Sequence, residues 1–146
     1  MIIKQMNEGH VLQIAQLESV CFSDPWSVNS IASELGNKLS VWLVAIEDNS
    51  VVGYVGSQTV LGETDMMNIA THPDHRGKGI ATSLIKELIA ELTLRKSRSL
   101  MLEVRASNDT AIRLYHNLGF AEVGRRKNYY RNPKEDALIM RKEWSL

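Results

Sequence analysis

The chain has 146 residues with 17 basic and 17 acidic side chains, so no net charge draws it toward nucleic acid or an anionic membrane. Hydrophobic residues make up 44% and charged residues 23%, ordinary globular usage that excludes disorder and a fibrous repeat. The single cysteine, Cys21, cannot close an internal disulfide, and no charged-then-apolar leader or apolar run of membrane-spanning length occurs. One domain over residues 1–146, in a reducing cytoplasm, is the expectation.

Met1 to Gln5 reads as a short apolar strand, and Val11, Leu12, Ile14, Ala15, Leu17 and Cys21 then recur on one helical face. Asp24-Pro25 breaks that helix, Ser27 caps the next, and Ile31 with Leu35 supports a short helix ending at Gly36. Ser40 to Glu47 and Val51 to Leu61 are rich in Val, Trp, Ile and Tyr and flank Asp48-Asn49-Ser50, which predicts a hairpin. A third strand follows Gly62 and runs to about Thr71. Apolar residues at 80, 84, 85, 88, 89 and 92 fit the 3.6-residue period of the clearest helix in the chain. Leu100, Leu102 and Val104 alternate with Met101, Glu103 and Arg105, as a strand requires. Asn108 or Asp109 caps a short helix through Asn117, Gly119 stands where a left-handed stop belongs, Phe120 starts a further strand, and Ala137 to Trp144 forms the last. Short connections in this order predict an α+β domain, a mixed sheet covered by helices, without repeats or linkers.

Between the third strand and the clearest helix lies His72-Pro73-Asp74-His75-Arg76-Gly77-Lys78-Gly79. A helix start presents unpaired N–H groups and partial positive charge, and two glycines let an anion approach the backbone. Arg76 and Lys78 add charge-assisted donors. No Gly-Lys-Ser or Gly-Lys-Thr and no Gly-x-Gly-x-x-Gly is present, so neither a P-loop nor a dinucleotide turn is indicated. Taken alone, the segment fits an anion cradle or an ordinary strand-to-helix loop.

The run Arg76-x-x-Gly79-x-Ala81, with a strand before it and a helix after it, resembles the acetyl-CoA motif of the GNAT N-acetyltransferase superfamily. That resemblance implies a mostly antiparallel mixed sheet of about six to seven strands, flanked by about four helices, with one strand pair splayed into a wedge for the cofactor. It implies that backbone amides over Gly77, Lys78, Gly79, Ile80, Ala81 and Thr82 hold the coenzyme pyrophosphate, and that the strand edge at Ile69, Ala70 and Thr71 pairs with the pantetheine arm. Many members carry a second glycine where this chain has Ala81, whose methyl group slightly tightens the approach to phosphate.

Glu103 lies mid-strand, where a charge needs solvent or a partner, and its same-face neighbour Arg105 is the obvious candidate for a structural salt bridge. The alternative is a general base. An α-ammonium (pKa ~7.7–8.0) is easier to neutralise than a lysine (~10.4) by ~2.5 units, or ~3.4 kcal/mol, so a carboxylate base suits an N-terminal acceptor better. Tyr115, on the helix after Asn108, reads either as a half-buried aromatic beside Ile112 or as a proton donor to a leaving thiolate.

Glu103-Val104-Arg105-x-Ser107-Asn108-x-x-Ala111-x-x-Leu114-Tyr115-x-x-Leu118-Gly119-Phe120 continues through Gly124, Arg126, Tyr129-Tyr130 and Glu135-Asp136-Ala137, with Phe22 and Pro25-Trp26-Ser27 near the front. This pattern is similar to the RimI-type ribosomal-protein-alanine N-acetyltransferases over nearly the whole chain. The resemblance implies Glu103 as proton acceptor, Tyr115 as proton donor and Asn108 as a cofactor contact. It also implies acetyl-CoA as cosubstrate and the N-terminal alanine of a small-subunit ribosomal protein as acceptor. Another protein N-terminus, a small amine, or a non-catalytic acyl-CoA-binding module are the competing functions. No metal is expected, because His72 and His75 lack a zinc ligand set. Cys21 reads as a small core residue on the first helix. Tyr129, Tyr130 and Arg131 read as a hairpin loop that forms a lip over the acceptor, with Trp26 and Ser27 opposite; no direct nucleic-acid or membrane contact is expected, and the oligomeric state is not legible.

Overall fold

The structure, a computed structural model, describes residues 1–146. Its strands are β1 (Ile2–Gln5), β2 (Ser40–Glu47), β3 (Ser50–Val60), β4 (Glu63–Thr71), β5 (Ser99–Arg105), β6 (Ala121–Tyr130) and β7 (Glu135–Glu143). Its helices are α1 (Val11–Cys21), α2 (Val28–Ser33), α3 (Ile80–Leu94) and α4 (Asp109–Asn117), with short 3-10 turns at Glu8–His10, Glu34–Gly36 and Pro73–His75. The seven strands form one sheet in the order β1-β2-β3-β4-β5-β7-β6. Every pairing is antiparallel except β4 with β5.

Strand alternation divides the core between the two faces of this sheet. On one face Ile80, Leu84, Ile85, Leu88 and Leu92 of α3 bury against Leu43, Val55, Leu100 and Leu102, and Tyr115 of α4 joins the same cluster. On the other, Val11, Ile14 and Leu17 of α1 and Ile31 of α2 close over Trp42, Val44 and Tyr54. Each fully buried aliphatic side chain contributes about 1.5–3 kcal/mol of transfer free energy, so α3 is the principal clamp on its face.

The inner stripe of α1 differs from the expected one. Leu12 is 65% exposed, whereas Glu18, seven residues after Val11 and four after Ile14, is wholly buried on the core side. Leu35 also points outward, and the second helix tightens into a 3-10 turn over Glu34–Gly36. At the other end of the chain, Tyr129 and Tyr130 belong to β6 rather than to a loop, and β7 starts at Glu135 and stops before Trp144.

β4 and β5 pair at only three positions, Glu63 with Ser99, Thr64 with Leu100 and Asp65 with Met101. A hydroxyl chain pins this end: Thr59 Oγ1 to Thr64 Oγ1 at 2.7 Å, Thr64 Oγ1 to Ser97 Oγ at 2.7 Å, and Ser97 Oγ donating to the Gly62 carbonyl at 3.2 Å. Beyond it, β4 continues on β3 and β5 continues on β7, and the two no longer pair with each other. The β3–β4 register shifts by one residue, leaving Met67 unpaired between the rungs Gly56–Asn68 and Ser57–Met66. Gly56 is required there, since a Cβ would fall inside the Trp42 indole. A bulge bends the strand that carries it, and here the bent strand is the one that leaves its neighbour.

Candidate active site

The splay opens a slot through the sheet with backbone on both sides. Ile69, Ala70 and Thr71 are held on β3 by rungs to Val55, Tyr54 and Gly53, while their other edge has no strand beside it. From Thr71 the chain runs directly into the glycine turn. Gly77 (φ 79°) and Gly79 (φ 76°) both occupy the left-handed region, and a Cβ on either would meet nothing within 4 Å. Glycine is needed there for backbone shape rather than for space. Gly79 is the residue before α3 and no side chain caps that helix. Its first-turn amides at Ile80, Ala81 and Thr82 are therefore open to an anion, which the helix dipole favours. Lys78 is exposed beside them, whereas the Ile80 side chain is buried in the core and offers only its backbone. Arg76 points elsewhere, its guanidinium 3.7 Å from the Cys21 sulfur.

Glu103 does not pair with Arg105. Arg105 donates to the carbonyls of Pro133 (2.9 Å) and Arg131 (3.1 Å) and to Glu135 Oε1 (3.3 Å), and its guanidinium stacks 4.4 Å from the Tyr130 ring centroid. Arg105 thus braces the β6–β7 hairpin tip. Glu103 is left with Arg126 Nε at 3.8 Å from Oε2, and that oxygen is enclosed without a hydrogen-bond partner. The Glu103 carboxylate beside it and burial raise the Tyr129 phenol's pKa. Burial and the charge of Glu103 also push the Tyr130 phenol up to about 12.

Tyr115 is 6% exposed and packs edge-on to Phe120 at 5.7 Å, more deeply buried than the sequence suggested. Burial, helped by Tyr130, pushes its phenol up to about 12, so it keeps its proton. Its hydroxyl has no protein hydrogen bond and is not among the sealed polar atoms, so it reaches solvent. Because Tyr115 packs with Leu102 and Val104, it lies on the α3–α4 face, while the alternating Glu103 projects to the other. Both lie beside the splay, on opposite faces of the sheet. Asn108 caps α4, its Oδ1 accepting from the Ala111 amide at 3.2 Å, so its own N–H₂ remains available.

Two residues of the site were not legible in the sequence. Asp65, on the last rung before the splay, has its carboxyl pKa raised by burial, by Glu103 and by Glu63. Glu18 accepts from Tyr54 Oη (2.5 Å) and Asn68 Nδ2 (2.6 Å) through Oε1, and from the Trp26 amide (3.4 Å) through Oε2. The signal for Glu18 was its place on the stripe through Val11 and Ile14, which a carboxylate masks. His72 and His75 gather no metal-binding cluster, and no group of three His, Cys, Asp or Glu side chains does so anywhere in the chain. Cys21 is only partly buried, its sulfur 3.8 Å from the Thr71 carbonyl.

The acetyltransferase (GNAT) family matches this sequence over residues 11–120, from the start of α1 through the Phe120 that follows α4. The chain belongs to the GNAT acetyltransferase family. A Salmonella typhimurium ribosomal protein bS18-alanine N-acetyltransferase is 40% identical over 128 residues, covering 86% of this chain and 85% of its own length. The corresponding Haemophilus influenzae protein is 35% identical over 142 residues, covering 95% and 96%. The crystal structure of the ribosomal-protein-S18-alanine N-acetyltransferase from Escherichia coli superposes with a TM-score of 0.91 at 33% identity, covering 99% of this chain and 94% of that one. The fold is thus shared with the Escherichia coli enzyme almost end to end.

Proposed function

We propose that this GNAT acetyltransferase moves the acetyl group of acetyl-CoA onto the α-amine of an N-terminal alanine in a small-subunit ribosomal protein, by direct attack within a ternary complex. The observation that carries the reading is the slot between β4 and β5, with a carboxylate on one side and a protonated phenol on the other. The names of the end-to-end relatives support the acceptor. A ribosomal substrate also implies work in the cytoplasm.

The residues present fit the cosubstrate. The amides over Gly77, Lys78, Gly79, Ile80, Ala81 and Thr82 would hold its pyrophosphate, the open edge at Ile69, Ala70 and Thr71 its pantetheine amides, and the free N–H₂ of Asn108 a further polar group. Bound there, acetyl-CoA supplies an activated thioester. Glu103 takes a proton from the incoming ammonium, directly or through one water. The freed amine forms the new C–N bond as the C–S bond breaks, the second nitrogen proton passes through solvent to the departing thiolate, and Tyr115 donates a hydrogen bond to that sulfur. Arg126, Tyr129 and Tyr130 on one side of the slot, and the Trp26 loop on the other, form the acceptor lips. No cysteine or serine nucleophile stands beside Glu103, which favours direct transfer over a covalent intermediate.

The test is purified enzyme with labelled acetyl-CoA and a panel of N-terminal peptides beside small amines. The expected result is strong preference for an alanine-initiated ribosomal peptide. Equal or better turnover of a polyamine sinks the ribosomal reading, and cofactor binding without transfer to any acceptor sinks the enzymatic one.

A further inference from the structure

A glutamate with no accessible surface and no basic partner needs a reason to be ionisable inside a core. Glu18 forms no salt bridge with any Lys, Arg or His. Burial raises its pKa, against hydrogen bonds from Tyr54, Asn68 and Trp26 that lower it. A buried carboxylate without a cation costs stability, so its presence is not explained by the strength of the core.

Its three partners explain it better. Asn68 sits on β4 beside the bulged Met67, and its Oδ1 in turn accepts from the Ile69 amide at 3.1 Å, at the start of the open strand edge. The Trp26 amide belongs to the loop between α1 and α2. Tyr54 stacks on Trp42 at 5.9 Å with the rings nearly parallel, and Trp42 meets the Trp26 ring edge-on at 5.4 Å. Glu18, Tyr54, Trp42 and Trp26 therefore close a ring of contacts, with Asn68 attached at the carboxylate. The Asn68 N–H₂ and the Trp26 amide can only donate to Glu18 and Tyr54 donates to it too, so a carboxylate with two acceptor oxygens satisfies all three at once. A glutamine would turn its N–H₂ toward the Trp26 amide or toward the Tyr54 and Asn68 donors.

We propose that Glu18 is a positioning residue that ties the Trp26 loop to Asn68 on β4, setting the acceptor lip at a fixed distance from the strand edge that would pair with the pantetheine arm. The proposal rests on the transferase reading above. It places acceptor alignment in a buried group that touches neither substrate.

Glu18→Gln tests it, with the full-length enzyme assayed against the alanine peptide well below its melting temperature. The peptide KM is expected to rise about tenfold or more, while coenzyme A affinity stays within about twofold. An unchanged peptide KM overturns the proposal. So does a fall in coenzyme A affinity and melting temperature together with KM, because a general loss of structure produces that pattern. If Glu18→Gln does not fold, Tyr54→Phe keeps the ring stack and removes one donor; it must raise peptide KM with coenzyme A affinity intact, and failure to do so is equally decisive. A wild-type enzyme that transfers acetyl to no peptide would count against the transferase reading instead.

Discussion

Tyr115 has a phenol pushed up to about 12, mainly by burial. A thiol ionises near ~8.5, so full proton transfer from this phenol to a leaving thiolate is uphill by about 3.5 units, roughly 5 kcal/mol. On the proposed mechanism Tyr115 serves as a fixed hydrogen-bond donor whose proton need not leave. Tyr115→Phe should lower kcat about 10- to 100-fold with peptide KM little changed, measured by steady-state kinetics. The pH profile carries a second check. A group with a raised pKa keeps its protonated form as pH climbs, so kcat/KM should rise through the α-amine pKa near ~8 and show no falling limb from Tyr115 below about pH 11. Glu103→Gln should cost on the order of 100-fold or more in turnover while coenzyme A affinity barely moves, read by isothermal titration beside the rate assay. Unchanged turnover would remove Glu103 from its role as base.

Among the elements, the β6–β7 hairpin depends on Arg105, which the strand alternation placed on β5 without showing its partners. Arg105→Gln loses the guanidinium fork that holds Pro133, Arg131 and Glu135 and its stacking on Tyr130. It should raise peptide KM and lower unfolding free energy by about 1–3 kcal/mol in a denaturant titration. Glu135 has its carboxyl pKa lowered by Ser107 and Arg105. A lowered folded pKa gives stability above the ordinary value of 4.5 that is lost as pH falls through the folded one, so acid should loosen this hairpin, visible as faster tip proteolysis below about pH 4.

Period and turn chemistry made α3, the β2–β3 hairpin and the Gly77–Gly79 turn legible, because each is decided by neighbours within a few residues. The inner face of α1 was misread at both Leu12 and Glu18, since burial there is decided by Tyr54 and Asn68, which lie 36 and 50 residues away along the chain. Arg105 was one candidate partner for Glu103 for the same reason; its partners arrive from a hairpin 26 to 30 residues later. The splay itself has no local signal. It was expected only from family resemblance, and the structure ties it to the register shift at Met67 and the three-rung junction.

At the scale of the molecule, the slot is an interruption in an otherwise continuous sheet, and a ligand bound along it should stabilise the fold by mass action. Acetyl-CoA at about a hundredfold excess over its Kd should add about 2.7 kcal/mol, raising the melting temperature by roughly 5–10 °C in a thermal scan. No shift at saturating ligand would mean that the open edge and glycine turn do not form the cosubstrate site. Only three rungs join β4 to β5. Pulled across its strands, this molecule should not yield at random but tear between β4 and β5, where few hydrogen bonds share the load. An occupied slot would raise the rupture force, making the cosubstrate in mechanical terms a removable strand.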